Sequence, residues 1–478
     1  MSLLPAVLFC SFFSTARAQD VYTPLLTQIA GEVQNSAWSN AQCVPTLQAI
    51  QNRIDQVGST NYTRAQFQPL AAGLIDQLWK IRLTLHDHLA GASDDCAKEI
   101  RNSFRQFRFI EDFLGEIEFA PTEFADLDSV DFEKQPTAFD ETTNGYLVQK
   151  ADPNFQFQTG DIIVARGHSF LSAMIARLGD IDSQFSHVIM VTENPQTKAM
   201  ETIESYVGLG VAIYDRQTAL RNDNSRLLVL RPKDQALGRA AALQMRAVVA
   251  ARTGANRIQY DYALDFVDHT RMSCAEVSQV AFLNASNGKF ILPERASTLT
   301  HGLDLVERLG VKPGPTFTPG DLEGDSRFDI VAEWRDLRTT RDSRLKDAIM
   351  TKVIAWMDAD QFYLHDTVSS TMARTLVWDI RHSFLWPTFK KVFKTKDFSA
   401  EVPRAMVSTV ELVTEMGDAV LAELKARDDS HLQKTGLPMT YLELYSELED
   451  MRIEDEATYL GRKTHSQSYL FKYLRPWR

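Results

Sequence analysis

The apolar residues of this chain change their spacing twice, and that double change restricts its possible folds more than any other feature. From Val21 to about Phe119 they recur at three- and four-residue steps. Phe67, Leu70, Leu74, Ile75, Leu78 and Trp79 fall on one face of a helix in this way. Ser93-Asp94-Asp95 places short polar oxygens before the next helix, where they can cap free backbone N–H groups. In the middle of the chain the spacing gives way to short β-branched runs: Asp161-Ile162-Ile163-Val164, His187–Val191, Val211–Tyr214 and Arg226–Leu230. Each is bounded by Gly, Asn, Asp or Pro, as strands are. Helical stretches at Gly238–Thr253 and Ala275–Leu283 lie among them. From about Ile330 helical spacing returns, with Met406, Val410, Val413, Val420, Leu421 and Leu424 on one stripe. Pro387 breaks an aromatic-rich helix around Trp378–Trp386. The expectation is an α+β block at 155–300, between all-α regions at 19–125 and 330–478. An acidic, irregular linker at 126–154 and a second linker at 301–329 join them, and the stripes read as core faces.

The length of 478 residues suits about three domains. With 51 Lys and Arg against 63 Asp and Glu, the net charge of −12 speaks against a nucleic-acid partner. An apolar fraction of 44% excludes wholesale disorder. No apolar run reaches the ~18–20 residues of a membrane-spanning helix. Residues 1–18 combine an apolar stretch, Leu3–Phe13, with the small-residue site Ala16-Arg17-Ala18. That is the pattern of a signal peptide, although no Lys or Arg precedes the apolar core. Acylation at Cys10 is disfavoured by the bulky Phe9 before it. The expected location is therefore exported, periplasmic or extracellular. Of the four cysteines, Cys10 leaves with the signal, and an oxidising compartment would pair Cys43 with Cys96. Cys274 remains as a lone thiol.

That thiol sits in Arg271-Met272-Ser273-Cys274-Ala275-Glu276-Val277-Ser278, just ahead of a helical stripe of Val277, Val280 and Ala281. At a helix N-terminus, unpaired N–H groups and the positive end of the dipole favour a thiolate and can receive an oxyanion. A nucleophilic thiol also needs a base and a group that orients the base. His187 opens an apolar strand and so projects from a rigid element; His168 and His269 are rivals in loop-like surroundings. The next strand carries Glu201-Thr202-Ile203-Glu204-Ser205. Alternation puts Glu204 and Thr202 on one face and Glu201 and Ile203 on the other, without saying which carboxylate faces the histidine. His86-Asp87-His88 hints at a metal, but i and i+2 on a helix point the rings apart. No other ligand spacing, Walker loop or dinucleotide fingerprint is present, so neither a metal nor a cofactor is expected.

Gly160-Asp161-Ile162-Ile163, Ser186-His187-Val188, Ile203-Glu204 before Gly210-Val211, Tyr260-Asp261 and Ser273-Cys274-Ala275-Glu276 follow one another in this order. The series resembles the permuted NlpC-type papain-like amidases of the YiiX/YebB kind, with Ala275 in place of that family's Ser. The resemblance covers roughly 155–293, under a third of the chain. It implies a permuted papain-like core, a small antiparallel sheet with the nucleophile's helix packed against it. It also implies Cys274 as nucleophile, His187 as base and Glu204 as the orienting residue. Tyr260 is the implied donor to the oxyanion, with Tyr262 nearly as well placed.

The expected activity is cysteine hydrolysis of an amide bond. Resemblance and compartment together imply an envelope substrate such as a peptidoglycan peptide. A lipid or acyl thioesterase or acyltransferase on the same fold, and a non-catalytic envelope scaffold, are the alternatives. The two helical flanks are expected to pack on the middle block and restrict its cleft, rather than to swing as tethered bundles.

Overall fold

The computed structural model describes residues 20–35, 39–57, 63–118, 146–221, 224–367, 371 and 402–476. The expected signal peptide with Cys10, residues 126–145 of the acidic linker, and Trp378–Trp386 with Pro387 lie outside the described residues. No described helix is long and apolar enough to cross a membrane.

Seven strands make one antiparallel sheet at the centre. In chain order they are β1 (Tyr146–Lys150), β2 (Ile162–Gly167), β3 (His187–Glu193), β4 (Met200–Tyr206), β5 (Gly210–Asp215), β6 (Asn224–Pro232) and a late strand at Phe328–Asp336. The short strands Ser297–Leu299 (β7) and Gly314–Thr316 (β8) pair separately, so the late strand is β9. The spatial order is β1-β9-β6-β2-β3-β4-β5. Inner strands bury both faces, which explains their near-continuous apolar runs. One face carries Ile162, Val164, Met190, Ile203, Leu228 and Leu230 under α7 (Gln235–Ala250) and α8 (Cys274–Ala285). On the other face Ile163, Ile189, Val191, Val229 and Trp334 meet Phe155 and Phe157, whose rings lie 5.6 Å from that of Trp334.

The sheet is wider than the spacing predicts. β1 falls inside the expected 126–154 linker, and the chain from Ile330, expected to be helical, begins as β9 and turns helical only at Leu337. The reason is chemical. Both strands bury charged or amide side chains (Gln149, Lys150, Glu333, Arg335 and Asp336), residue types that in a sequence read as solvent-facing rather than as part of a strand covered on both faces.

Gln149, Glu333 and Arg335 meet partners from the last two of the four N-terminal helices α1 (Tyr22–Asn35), α2 (Asn40–Asp55), α3 (Arg64–Asp87) and α4 (Asp94–Glu118). The four share a core that includes Leu26, Leu47, Phe67, Leu78 and Phe104. A disulfide between Cys43 and Cys96 ties α2 to α4 across a Cα–Cα distance of 5.6 Å. Chain-entropy arithmetic for a loop of this length gives ~4 kcal/mol. Beyond that core, Arg82 of α3 and Arg108, Glu111 and Asp112 of α4 interlock with Arg226 of β6, Glu323, and Glu333 and Arg335 of β9. Four guanidinium groups face four carboxylates, all essentially out of water. Arg82 lies 3.1 Å from Glu111 and 2.6 Å from Glu333, and Arg335 pairs with Glu111 and with Glu333 at 2.8 Å. Burial opposes ionisation of Glu333, but Arg335, Arg82 and Arg226 outweigh it and hold this carboxyl far below its ordinary range. Arg101, Arg105 and Arg108 share one face of α4 and reach Asp321, Asp182 and Glu323 respectively.

The C-terminal helices are equally integrated. α10 (Leu337–Ala359) follows directly from β9, capped by the Asp336 carboxylate on the Arg338 N–H at 3.1 Å. It packs with helices at Arg404–Thr435 (α11) and Tyr441–Leu460 (α12). These three share one apolar cluster with the short helices Phe170–Ile175 (α5) and Leu303–Arg308 (α9) of the middle of the chain. The flank core is thus continuous with the middle block, and the described flank helices are not tethered bundles.

Removing one member of the buried charge cluster leaves its partners unpaired in the interior. Glu333→Gln is therefore expected to lower the unfolding free energy by about 3–5 kcal/mol, read from urea unfolding. A loss under ~1 kcal/mol, typical of an exposed pair, would contradict this account.

Candidate active site

The pairing of β3 with β4 settles which carboxylate the histidine meets. Val191 stands opposite Thr202, so alternation along the two strands places His187, Thr202, Glu204 and Tyr206 on one face. Glu201 points the other way, to Arg246 of α7 at 2.6 Å and the Asn194 amide at 2.9 Å. The His187 Nε2 lies 2.9 Å from the Glu204 carboxylate. Glu204 is fully buried and receives two further hydrogen bonds, from the Tyr206 hydroxyl at 2.6 Å and the Thr202 hydroxyl at 3.0 Å. The Tyr206 ring stacks on the imidazole at 4.8 Å. Strand neighbours thus fix both the position and the rotation of the ring.

Cys274 is the first residue of α8 and is a free thiol. The helix starts there because Ser273 and Glu276 form a reciprocal cap. The Ser273 hydroxyl accepts the Glu276 N–H at 3.4 Å, and the Glu276 carboxylate accepts the Ser273 N–H at 2.6 Å. Burial pushes the Glu276 carboxyl up to about 7. A first helical turn offers the N–H groups of Cys274 and Ala275 no intrahelical acceptor. Two ties hold this corner to the sheet. The Ser205 hydroxyl of β4 donates to the Met272 carbonyl at 2.6 Å, and the Val211 N–H of β5 donates to the Ile258 carbonyl at 2.9 Å. The second tie explains the glycine of the Gly210-Val211 motif. Gly210 has φ +72°, and a Cβ there would overlap the Ile258 carbonyl.

With Nε2 held by Glu204, the ring also interacts with the Cys274 thiol. Burial resists a charged ring, but interactions with Cys274 and then Glu204 outweigh it and raise the His187 pKa to about 10. The protonated ring therefore persists through neutral pH. The arrangement can exchange a proton between sulfur and nitrogen, and it keeps an acid beside the thiol.

Cys274 and Ala275 open onto a cavity of about 870 Å3, counting the part open to solvent. Tyr260 lines it, and burial first, then the neighbouring Cys274, raises the Tyr260 hydroxyl well above 10, so it stays a donor. The Tyr262 hydroxyl is engaged elsewhere, accepting the Gly208 N–H at 3.0 Å. His269 lies in a separate pocket beside Met272 and Val280, and the His168 carbonyl accepts a hydrogen bond from Lys346 of α10 at 2.9 Å. His86 is buried, stacked at 6.3 Å on Phe104, while His88 reaches the Val33 carbonyl at 3.0 Å, so the two rings diverge. No group of three or more His, Cys, Asp or Glu among the described residues could hold a metal ion. Asp161, in the first motif, has a scaffolding place, bound to Arg231 at 2.8 Å and to the Gln158 N–H. Two contributors escaped the sequence reading, Tyr206 and Ser205. Tyr206 lies two residues from Glu204, so alternation alone could have placed it beside the carboxylate.

Compared with known proteins, the chain matches no family model, no curated protein and no solved structure.

The pKa of His187 offers a direct check. A group raised in the folded state adds stability that is complete below its ordinary pKa near 6.5 and is lost as pH rises through about 10. Imidazole NMR of the native protein should show His187 titrating near pH 10, and in Glu204→Gln the midpoint should move down towards 6.5. An ordinary midpoint in the native protein would contradict the assigned interactions.

Proposed function

We propose that the chain is a cysteine hydrolase that cleaves an amide bond through a thioester acyl-enzyme, on the plan of the permuted NlpC-type papain-like amidases it resembles. One arrangement carries this reading. A free thiol at the first residue of a helix interacts with a histidine that is held by a buried, thrice hydrogen-bonded carboxylate. The strands bearing His187 and Glu204 precede the helix bearing Cys274, the order expected of the permuted family and reversed relative to papain.

In this mechanism the Cys274 thiolate attacks the carbonyl carbon. The resulting oxyanion is received by the N–H of Cys274, with Tyr260 as the second donor. The His187 imidazolium protonates the leaving amine as the C–N bond breaks. A water molecule, deprotonated by His187, then attacks the thioester and frees the acid and the thiol. Glu204 keeps the ring turned towards sulfur and stabilises its charged form. The Cys43–Cys96 disulfide supports an oxidising compartment, and with the signal-like N-terminus it makes an envelope amide the natural target.

Incubation with cell-wall fragments and with lipid extract, with products read by mass spectrometry, tests the reading. Cys274→Ala should lower kcat/KM by roughly 10^4-fold or more while leaving the thermal midpoint nearly unchanged. Cys274→Ser should be almost as inactive, since an alcohol ionises far less than a thiol. A Cys274→Ala protein that keeps more than about 1% of the activity would remove the nucleophile assignment.

A further inference from the structure

One hydroxyl in the cavity at Cys274 stands apart from the rest. Thr316, the last residue of β8, lines this cavity and is 7% exposed. Its Oγ1 is shut off from water and has no hydrogen-bond partner among the described residues. The other hydroxyls of the lining are engaged. Ser186 donates to the Ala165 carbonyl at 3.4 Å, and Ser273 and Tyr262 accept backbone N–H groups. Thr318 donates to the Ser297 hydroxyl at 3.4 Å. Ser297, directly opposite Thr316 in β7, gives its own proton to the Asp321 carboxylate. Tyr260 has its place at the oxyanion in the mechanism above. Thr316 alone is left over.

A buried hydroxyl without a partner costs the full desolvation of its polar atom, and valine would fill the same shape without that cost. A resident water needs about two to four polar partners. The strand pair around Thr316 instead offers Leu299 and Phe317 to the cavity. A partner that arrives with the substrate accounts for the hydroxyl better. We infer that Thr316 is a specificity-determining residue, whose hydroxyl bonds an uncharged amide or hydroxyl on the part of the substrate that enters the cavity. The inference rests on the hydrolase reading above and adds a residue which that reading does not use. The substrate group is neutral because no charged side chain among the described residues lines the cavity, and one hydroxyl does not offset the desolvation of an ion. It is polar because an all-hydrocarbon group would leave Oγ1 unsatisfied. A threonine hydroxyl both donates and accepts, so it can meet a carbonyl oxygen, an N–H or an O–H.

The test uses the full-length protein and thioesters that carry one acetamido group. The group is placed at stepped distances from the thioester carbonyl, on the acyl side or on the leaving thiol, and each compound is paired with its hydrocarbon isostere. At the best distance, Thr316→Val should lower the acetamido-to-hydrocarbon ratio of kcat/KM by about tenfold or more. The ratio cancels intrinsic reactivity and any loss of folded protein. Thr316→Ser, which keeps the hydroxyl, should hold the ratio within about threefold of the natural protein. Without substrate, Thr316→Val should leave the thermal midpoint unchanged or raise it by about 1–3 °C, since it removes an unsatisfied group. If Cys274 turns the thioesters over but the ratio shifts at no distance, the Thr316 assignment is overturned and the hydrolase reading stands. A Thr316→Val midpoint lowered by several degrees overturns it too, by showing that the hydroxyl already has a partner. If no thioester acylates Cys274, the hydrolase reading falls and takes this inference with it.

Discussion

Four arginines and four carboxylates buried between α3, α4 and the sheet are the constraint on which the rest of this structure depends. Charges taken out of water tolerate few arrangements, because each must keep its partners or carry a penalty of several kcal/mol. The cluster therefore fixes α4 against β6 and β9, and α4 in turn reaches both sides of the site. Arg108 donates to the Gln184 side chain at 2.8 Å, three residues before His187, and pairs with Glu323. Arg101 holds Asp321 at 2.8 Å, and Asp321 accepts the Thr318 N–H at 2.8 Å. Thr316, Phe317, Thr318 and Pro319 form one wall of the Cys274 cavity. A helix from the N-terminal flank thus positions the approach to the histidine and the cavity wall at once.

The C-terminal flank closes another side. Val402 and Val407 pack on Tyr262, with Tyr260 and Met406 alongside, and Met406 lines the cavity itself. Gly417 of α11 leaves the space that the Phe170 ring occupies at the start of α5, another lining helix; a Cβ there would collide with the ring. Helical mass that the chemistry does not require is explained in this way. The C-terminal flank contributes Met406 to the cavity wall and backs the α5 wall at Phe170.

Much of this was legible in the sequence, and what was hidden was hidden for identifiable reasons. β2, β3, β5 and β6 announce themselves through β-branched runs, and Cys274 and His187 stand out because one begins a helix and the other begins a strand. Glu204 could not be separated from Glu201 until the pairing of Val191 with Thr202 fixed the face. β9 was invisible because Glu333 and Arg335 look like a solvated surface and are instead buried. The stripe Arg101, Arg105 and Arg108 on α4 misleads in the same direction. In a helix read alone it is a wet face, and only tertiary contact turns it into the joint between flank and sheet. The apolar cavity was equally beyond reach, since its lining comes from α5, α8, α9, α11, two short strands and several loops far apart in the chain.

The central claim is that Cys274 is a nucleophile activated by His187. Its most direct measurement is native-state alkylation by iodoacetamide near neutral pH, with the modified residue mapped by mass spectrometry and its rate compared between the natural protein and His187→Ala. The account predicts one equivalent of label on Cys274, formed at least about tenfold more slowly when the imidazole is removed. A Cys274 that resists alkylation in the folded protein, or that reacts equally fast without His187, would contradict it.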